Sequence, residues 1–550
     1  MTILTGVGIG RGIAVGPVLR MPDPLPEPAT TPSTLGPDSE KERVTHAIAA
    51  TAEDIRSRAE RVEGTAREVL EAQALMVDDP ALRTDVDGRI DNGATAERAV
   101  HEAMAVFRDT LAAVGGYLGE RAADLDDVSQ RIVARLAGVP APGIPESEEP
   151  FVLVARDLAP ADTALLDPQA VLAIVTSEGG RTSHTAILAR EKGFVAIVGC
   201  DGAREVSEGT RVVVDAATGT VTVDPTDAEA DDARRRAEAY ANRPVAPIGP
   251  GRLADGTEVP LLANLGSADG VEAAVEAGAE GVGLFRTEFL FLDAAAAPSV
   301  DAQAEAYRAV LAGFPGKKVV VRALDAGADK PLSFLTDEGE ENPALGRRGL
   351  RALRAHEEVL RGQLEALARA QADTEADVWV MAPMVSTAEE ARWFAELARG
   401  LGLSTAGVMV EVPSAALIAD RMLAGCDFAS IGTNDLTQYT MAADRLLDTV
   451  SELQDPWHPA VLKLVGEVGA AGAALGKPVG VCGEAAADPL LAAVLVGLGV
   501  SSLSMSAPAI ADVRTELAAW TLESARKAAR AALVADDAAG ALAAARAHAP

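Results

Sequence analysis

The spacing of apolar residues divides the 550-residue chain into one helical stretch and two stretches of short apolar runs. Between residues 39 and 136, Val44, Ile48, Ile55 and Val62 fall on one face of a helical period, with charged residues opposite. This pattern is typical of amphipathic helices that pack through one side. We therefore predict about four helices that form a bundle.

Residues 151–224 alternate short apolar runs with one short helical segment, which predicts a compact α/β unit. The expected strands are Phe151–Val154, Thr163–Leu166, Val171–Val175, Val195–Val198, Arg211–Asp215 and Gly219–Val223. The glycine-punctuated run at residues 1–20 predicts a further strand. We expect this strand to return to the α/β unit, which would make the helical bundle an insertion.

From residue 259 onward, apolar runs alternate with Ala- and Glu-rich helical stretches. The predicted strands are Leu261–Asn264, Gly281–Arg286, Val319–Leu324, Val378–Pro383, Val408–Glu411, Phe428–Gly432, Val479–Cys482 and Ser502–Met505. Eight strand–helix units over about 300 residues is the count of a (β/α)8 TIM barrel. A doubly wound sheet is the alternative, although it more often has fewer strands.

Proline-rich and charged segments separate these stretches. We predict an α/β domain formed by residues 1–20 and 140–225 and a helical insert at 21–139. A charged linker helix follows at 226–250, and the TIM barrel occupies 251–550. The fold class is therefore α/β, with a helical insert and a C-terminal barrel.

Charge and cysteine content narrow the possible partners. A formal net charge of −33 argues against nucleic acid or an anionic membrane as partner and suits a basic protein, although solubility alone explains most of it. Cys200, Cys426 and Cys482 lie far apart, which argues against a zinc site or disulfide framework and indicates a reducing, cytoplasmic location. Neither a signal peptide nor an uninterrupted apolar run of ~18 residues is seen, so no membrane span is expected.

One histidine stands in a context that suits phosphate chemistry. His184 follows paired glycines, and Thr182 or Ser183 can cap a short helix that we expect to stop near Gly193. Free backbone N–H groups at a helix start favour a bound anion and a neutral imidazole. By position alone a lone histidine is more often structural, so this argument makes His184 a candidate only.

Polar side chains follow several predicted barrel strands at their carboxyl ends, where TIM barrels carry their active sites. These candidates are Asn264, Arg286, Arg322, Glu411, Asn434, Asp435 and Cys482, with Arg445 just beyond. Arginine forks suit a phosphate and a carboxylate, and two carboxylates suit Mg²⁺. Any one acid–arginine pair could instead be a salt bridge, but the whole set is harder to explain structurally.

Several segments resemble the phosphoenolpyruvate (PEP)-utilising enzymes. The segment Gly-Gly-Arg-Thr-Ser-His-Thr-Ala-Ile around His184 is similar to their phosphohistidine motif. Four barrel segments resemble their signatures, namely 283–290, 431–439, 410–413 and 481–484. This resemblance implies that Arg286, Arg322, Asn434 and Arg445 hold PEP, Glu411 and Asp435 hold Mg²⁺, and Cys482 protonates the enolate.

The order of the parts resembles enzyme I of the sugar phosphotransferase system, because no long ATP-grasp domain precedes the histidine. That family implies docking of the phosphocarrier protein HPr on the helical insert, a homodimer through the barrel, and a threonine, here Thr163, that orients the histidine. An apolar patch at Met76, Val77 and Leu82 is a candidate docking surface; a purely structural bundle is the alternative.

Two other functions remain open from the sequence. One is a PEP synthase-like enzyme that uses ATP, and the other is a non-enzymatic PEP sensor. The intact acid, carboxylate and histidine set argues against a sensor. Ala328 stands where the family more often has glycine, and Val412 and Ser414 stand where isoleucine and alanine are commoner. No proposed catalytic side chain is missing.

Overall fold

The computed structural model describes two units, Met1–Asn242 and Arg243–Pro550. The description covers the chain except for a set of short segments and single residues: 1, 11, 24, 60–72, 75, 78–79, 115–121, 141–142, 146, 148, 159–165, 168, 181–182, 243–245, 292–295, 328–331, 333, 336–339 and 446. Thr163 and Ala328 therefore lie outside the described residues.

The first unit combines one mixed sheet with helices. Its strands are β1 Thr2–Thr5, β2 Val7–Ile9, β3 Ile13–Arg20, β4 Phe151–Ala155, β5 Val171–Thr176, β6 Ala196–Val198, β7 Arg211–Asp215 and β8 Thr220–Val223. Its described helices are α1 Pro37–Ala59, α2 Pro80–Asp91, α3 Ala96–Val114, α4 Ala122–Ala137, α5 His184–Lys192 and α6 Asp227–Ala241. Most of the expected strand Thr163–Leu166 lies outside the described residues.

The eight strands form a sheet in the order β1-β8-β7-β3-β4-β5-β6-β2. β3 pairs in parallel with β4 and antiparallel with β7, so the chain before the helices and the chain after them share one sheet. Helices α1 to α4 lie in the connection between β3 and β4. The residue limits proposed for the separate domains stay a prediction.

The helices α1 to α4 bury one apolar core, which includes Val44, Ile55 and Ile132. Val77 and Leu82 belong to this core and are 1% and 2% exposed. The prediction that they form an exposed docking patch with Met76 is therefore wrong. Val77 and Leu82 turn inward because the neighbouring helices supply an apolar face to cover them.

The second unit is built on a barrel. Its strands are β9 Leu261–Leu265, β10 Val282–Phe285, β11 Lys318–Arg322, β12 Asp377–Ala382, β13 Thr405–Val410, β14 Ala429–Ile431, β15 Val479–Val481 and β16 Ser502–Met505. Its described helices are α7 Val271–Glu276, α8 Val300–Leu311, α9 Leu350–Ala355, α10 Glu357–Ala372, α11 Ala388–Gly400, α12 Pro413–Leu417, α13 Ala419–Gly425, α14 Thr433–Met441, α15 Pro459–Leu475, α16 Pro489–Gly497, α17 Ile510–Leu517, α18 Leu522–Leu533 and α19 Ala538–Arg546.

Strands β9 to β16 pair in parallel and in sequence order, and β16 closes onto β9. This closure confirms the TIM barrel and excludes an open doubly wound sheet. In β11, Val319 and Val321 pack outward in the layer shared with the helices. Val320 belongs to a separate interior cluster with Met381 and Met409. The alternation therefore turns Lys318 and Arg322, at opposite ends of β11, toward the barrel interior.

Among the helices that the structure describes, none combines the length and the apolar character that a membrane crossing requires.

Candidate active site

His184 is the first residue of α5. Ser183 is the N-cap, and its hydroxyl accepts a hydrogen bond from the backbone N–H of Ala186. Gly193 ends the helix in a left-handed conformation with φ 75°, as the sequence predicts. The backbone of His184 therefore lies at the N–H-rich end of a helix. Its side chain, like Arg181 and Thr182, lies outside what the structure describes.

Asp157, just after β4, is hydrogen-bonded to the start of α5. The hydroxyl of Thr185 donates to Asp157 Oδ1 at 2.7 Å, and the backbone N–H of Leu158 donates to the same oxygen at 2.9 Å. Thr185 is buried and Asp157 is exposed, so this hydrogen bond is partly shielded from water. Asp157 was not a candidate in the sequence, although an acid just after a buried strand is the signal that identifies it.

The barrel candidates converge at the carboxyl ends of the strands. Asn264 lies in β9 and donates from Nδ2 to the backbone oxygen of Cys482 at 3.0 Å. Asn434, in the first turn of α14, accepts from the backbone N–H of Glu484 at 3.1 Å. These contacts tie β9, β14 and β15 together at one mouth. The structure thus brings together the polar strand ends that the sequence singled out.

Arg322 is the last residue of β11 and lies in a buried network of ion pairs. Its Nη2 lies 2.7 Å from Glu288 Oε1, and its Nη1 lies 3.1 Å from Asp325 Oδ2. Burial alone would lower the pKa of Arg322, but the charges of Glu288 and Asp325 outweigh it and raise the pKa. The guanidinium is therefore a permanent positive charge held in a fixed orientation.

Arg348 extends this network and was not predicted. It donates to both carboxylate oxygens of Asp325, at 3.3 and 3.1 Å, and to Asp435 Oδ1 at 2.8 Å. Burial opposes its charge, but Asp325 and Asp435 raise the pKa of Arg348 overall. Arg348 thereby fixes Asp435, whose other oxygen lies 3.7 Å from Nη1 of Arg445.

Glu411 follows β13 directly and is 1% exposed. Its Oε1 accepts the backbone N–H of Met384 at 2.5 Å, and Met384 takes a left-handed conformation with φ 53°. Such a conformation is costly for a residue with a side chain and is typical of functional sites. Its Oε2 is buried and has no hydrogen-bond partner among the described residues. Burial, then the charges of Asp325 and Asp435, raises the pKa of Glu411 to about 8.

A divalent cation fits this arrangement. An orphaned carboxylate oxygen on Glu411 and the fixed carboxylate of Asp435 are hard oxygen ligands. Among the described residues no three His, Cys, Asp or Glu side chains are arranged to hold a metal by themselves. A cation here therefore needs further oxygens from substrate or water, which is how Mg²⁺ is usually bound.

Arg286 differs from the other arginines of the mouth. It follows β10, is half-buried, and its guanidinium forms no hydrogen bond or ion pair with the described residues. Burial and the neighbouring charge of Arg322 lower the pKa of Arg286. A half-buried positive charge without a protein partner is suited to an anionic ligand.

Cys482 follows β15, and its thiol points into the barrel interior. Its Sγ lies 3.6 Å from the backbone oxygen of Ile431, to which the thiol donates a hydrogen bond. The sequence suggests an ordinary pKa near ~8.5 for this thiol. Burial instead raises the pKa of Cys482 to about 11, so the thiol is protonated at neutral pH.

Comparison with known proteins places this architecture in one family. Residues 247–522 match the family model described as PEP-utilising enzyme, PEP-binding domain. Residues 5–121 match the PEP-utilising enzyme N-terminal model, and residues 147–219 match the mobile-domain model. Enzymes of this kind generally need a divalent cation.

Relatives match over nearly the full chain. A phosphoenolpyruvate-protein phosphotransferase of Streptomyces coelicolor is 56% identical over 98% of this chain and 97% of its own. One from Haloferax volcanii is 40% identical, covering 97% of each chain. One from Latilactobacillus sakei is 38% identical over 94% of this chain and 93% of its own. With its closed barrel, its carboxylate and arginine mouth and its helix-start histidine, the chain belongs to the phosphoenolpyruvate-protein phosphotransferase family of PEP-utilising enzymes.

Proposed function

We propose that this enzyme transfers the phosphoryl group of PEP to His184 and from there to a histidine of the phosphocarrier protein HPr. This is the first step of sugar uptake by the phosphotransferase system. The observation that carries the proposal is the barrel mouth. It combines the partner-free guanidinium of Arg286, the oxygen of Glu411 without a hydrogen-bond partner and the protonated thiol of Cys482.

PEP has a phosphate and a carboxylate, and the mouth offers several positive groups. Arg286 is the positive charge most available to a ligand, because its guanidinium forms no hydrogen bond or ion pair with a described protein group. Arg322 and Arg445 add charge that their carboxylate partners orient, and the side-chain amide of Asn434 can donate to a ligand oxygen. Bidentate arginine contacts suit both anionic groups of this substrate.

Glu411 and Asp435 are the residues we propose to hold Mg²⁺, together with oxygens of PEP. When bound, the cation neutralises charge that develops on the phosphate and on the departing enolate. Arg348 keeps the Asp435 carboxylate in place, and the backbone of Met384 does the same for Glu411. These two contacts limit the reorganisation that the site needs on binding.

The transfer forms a bond between phosphorus and an imidazole nitrogen of His184 and breaks the bond between phosphorus and the enol oxygen of PEP. The neutral imidazole supplies the electron pair, and pyruvate enolate leaves. Backbone N–H groups at the start of α5 stabilise the phosphoryl group on the histidine. The first unit has to bring His184 to the barrel mouth, and we place the hinge in the linker at residues 226–250.

Cys482 then gives its thiol proton to C3 of the enolate, which yields pyruvate and a thiolate. A thiol with a pKa of about 11 holds its proton at neutral pH and gives it up only to a strong base such as an enolate. The amide of Asn264 braces the Cys482 backbone from the neighbouring strand.

We place the reaction in the cytoplasm, consistent with three free, buried cysteines. A homodimer through the barrel is part of the proposal. Phe289, Leu345 and Leu417 are 60%, 67% and 69% exposed in segments that follow barrel strands, and a dimer would cover such apolar surface. HPr is the proposed carrier, and we expect it to dock on the helical insert.

The test is intact-mass measurement and peptide mapping after incubation with Mg²⁺ and PEP, with ATP as the parallel donor. Acid-labile phosphate on His184 from PEP alone is expected. His184→Ala should abolish this label but leave PEP binding at the barrel intact. His548→Ala, beyond α19 and exposed, is the matched control and should label normally.

The other outcomes identify the alternatives. Labelling from ATP would favour the synthase-like enzyme, and no label from either donor would favour a sensor. Full labelling of the His184→Ala protein would refute the role of this histidine. Transfer onward is tested by adding HPr and following the label from one protein to the other.

A further inference from the structure

Two of the arginines that we propose to hold PEP lie on adjacent barrel strands. Phe285 of β10 and Val321 of β11 are the last residues that pair between these strands. Arg286 and Arg322 are the next residues on each strand. Both side chains carry positive charge, and the charge of Arg322 lowers the pKa of Arg286. Because like charges repel each other, the backbone has to fix the spacing of the two arginines before an anion binds between them.

A buried threonine connects the two strand ends. Thr287 follows Arg286 directly, and its hydroxyl donates to the backbone oxygen of Arg322 at 3.0 Å. Thr287 is fully buried, so solvent does not compete for this hydrogen bond. Glu288 adds a second connection, because its Oε1 accepts the backbone N–H of Asp325 at 3.2 Å and lies 2.7 Å from Nη2 of Arg322. The segment that carries Arg286 is therefore joined to the segment that carries Arg322.

The side-chain amide of Gln363, in α10, contacts this connection from the layer of helices around the barrel. Its Oε1 accepts the backbone N–H of Leu324 at 2.9 Å, and its Nε2 donates to Thr287 Oγ1 at 3.0 Å. The same Nε2 donates to the hydroxyl of Tyr307, in α8, at 3.1 Å. Gln363 and Tyr307 are fully buried. One amide therefore contacts the end of β11, the connecting threonine and a second helix.

The direction of these hydrogen bonds follows from the chemistry of the groups. A backbone N–H can only donate, so the amide atom that faces Leu324 is the oxygen, and the nitrogen faces the two hydroxyls. Each hydroxyl accepts from the amide and donates onward, Thr287 to the oxygen of Arg322 and Tyr307 to a glutamine one turn earlier in α8. Because Gln363 donates to Thr287, the proton of the threonine hydroxyl is directed at Arg322.

We propose that Thr287 and Gln363 are positioning residues that set the spacing of Arg286 and Arg322 for the phosphate and the carboxylate of PEP. The inference rests on the proposed function, because it takes these arginines as PEP ligands. Thr287 holds the ends of β10 and β11 at one separation, and Gln363 keeps the threonine hydroxyl turned toward Arg322. Charged groups that already have the correct spacing need less reorganisation when the substrate binds.

The same amide offers a matched pair of variants. Thr287→Val and Tyr307→Phe each remove one hydroxyl, keep most of the side-chain shape and leave one N–H of Gln363 without its acceptor. Tyr307→Phe also keeps the edge-to-face ring contact with Phe285, in which the ring centres are 6.2 Å apart. Thr287→Val breaks a connection between the strand ends, whereas Tyr307→Phe breaks only contacts of helix α8.

The measurement is the rate of His184 phosphorylation against PEP concentration at saturating Mg²⁺, with thermal melting of each protein. Both variants should lower the melting temperature, because each leaves a buried N–H unpaired. Thr287→Val alone should raise KM for PEP, by about threefold to tenfold; a misplacement of about 1 Å can cost ~10²-fold, but Glu288 still joins the strand ends. Thr287→Ser keeps the hydroxyl and should restore KM.

Gln363→Met tests the contribution of the amide. Methionine has a similar length but cannot direct the hydroxyl of Thr287 or accept the N–H of Leu324. KM for PEP should rise, although by less than in Thr287→Val, because the hydrogen bond from Thr287 to Arg322 can still form. A KM equal to that of the unmodified enzyme would overturn the role of Gln363.

The outcomes separate this inference from the function on which it rests. If PEP does not phosphorylate the unmodified enzyme, the proposed function fails. If phosphorylation is normal and Thr287→Val leaves KM unchanged, only the positioning role is refuted. An equal rise of KM in Tyr307→Phe would also refute it, because the effect would then come from a general loosening of the fold.

A crystal structure decides the case in which Thr287→Val does not fold. The full-length His184→Ala protein is crystallised with PEP and Mg²⁺, so that the bound PEP is not consumed. If the distance from Thr287 Oγ1 to the backbone oxygen of Arg322 stays near 3.0 Å in this complex, the inference is supported. If the two atoms separate when PEP binds, the inference is overturned.

Discussion

Replacing Arg348 with methionine tests whether the carboxylates of the barrel mouth form a cation site. Arg348 neutralises Asp325 and Asp435, and both acids also raise the pKa of Glu411. Methionine keeps much of the side-chain volume but removes the charge. Three buried carboxylates then lie close together with less positive charge, so the apo protein should be destabilised and its affinity for Mg²⁺ should rise.

The size of the stability loss in the Arg348→Met protein follows from the ion pairs that remain. Removing one partner of a buried ion pair typically costs about 3–5 kcal/mol. Here Asp325 keeps Arg322 at 3.1 Å, and Asp435 keeps Arg445 at 3.7 Å. We therefore expect the lower end, about 3 kcal/mol, which corresponds to a fall of roughly 6–12 °C in the melting temperature of the barrel unit at about 2–4 °C per kcal/mol.

The assay is thermal melting with and without saturating Mg²⁺. Ligand binding at about 100 times its Kd stabilises a protein by ≈ 2.7 kcal/mol, so the cation can recover most of the loss. The control is Arg351→Met, because Arg351 donates to the backbone oxygens of Leu345 and Gly346 and to Ser386 Oγ and has no carboxylate partner among the described residues. Any loss of stability in this control variant should not depend on Mg²⁺.

A loss in the Arg348→Met protein that is equal with and without Mg²⁺ would refute the reasoning. Such a result would mean that the carboxylates do not bind the cation and that Arg348 only stabilises the fold. A larger Mg²⁺-induced gain in the variant than in the unmodified protein is the expected sign of a cation site.

Three further predictions concern single side chains. Because burial raises the pKa of Cys482 to about 11, the thiol keeps its proton below that pH. As pH rises, the rate of single-turnover pyruvate formation should therefore not fall with a midpoint near ~8.5, the ordinary pKa of a thiol. A midpoint near that value would exclude Cys482 as the acid. Arg286→Ala should raise KM for PEP at least about tenfold with an unchanged melting temperature, whereas Arg322→Ala should lower both activity and stability because it leaves buried carboxylates behind. Equal melting temperatures for these two variants would contradict the assignment. Ser183→Ala should destabilise α5 by about 1 kcal/mol, measured as faster hydrogen exchange in that helix, while Ser183→Asp should preserve the cap.

The barrel could be predicted because its strands are buried on both faces. Parallel strands of this kind are continuous apolar runs that are easy to recognise. The polar residue that ends each run then lies at the same mouth, since parallel strands point the same way. Arg322 and Cys482 were identified by that rule alone. The helical insert offered no such rule, and the exposure of Val77 and Leu82 depended on which helices covered them.

The ion-pair network could not be predicted because it joins residues that are distant in sequence. Arg348 lies in a loop, 87 residues from Asp435, and no local pattern connects the two. Asp325 and Glu288 lie close to Arg322 in the fold but have the same sequence appearance as surface acids. Only the closed barrel brings their charges together, and it does so in a buried volume where each charge must be neutralised.

The same closure determines the chemistry of Cys482. A thiol on a surface loop has a pKa near ~8.5 and would be a nucleophile as readily as an acid. Enclosed by the barrel, it holds its proton at neutral pH, so the fold itself selects the acid role. The enclosure has a second consequence: once the thiol has given up its proton, the new negative charge is buried and must be neutralised quickly. The barrel mouth supplies positive charge for this purpose, because the guanidinium groups of Arg322 and Arg286 oppose the effect of burial and lower the pKa of Cys482.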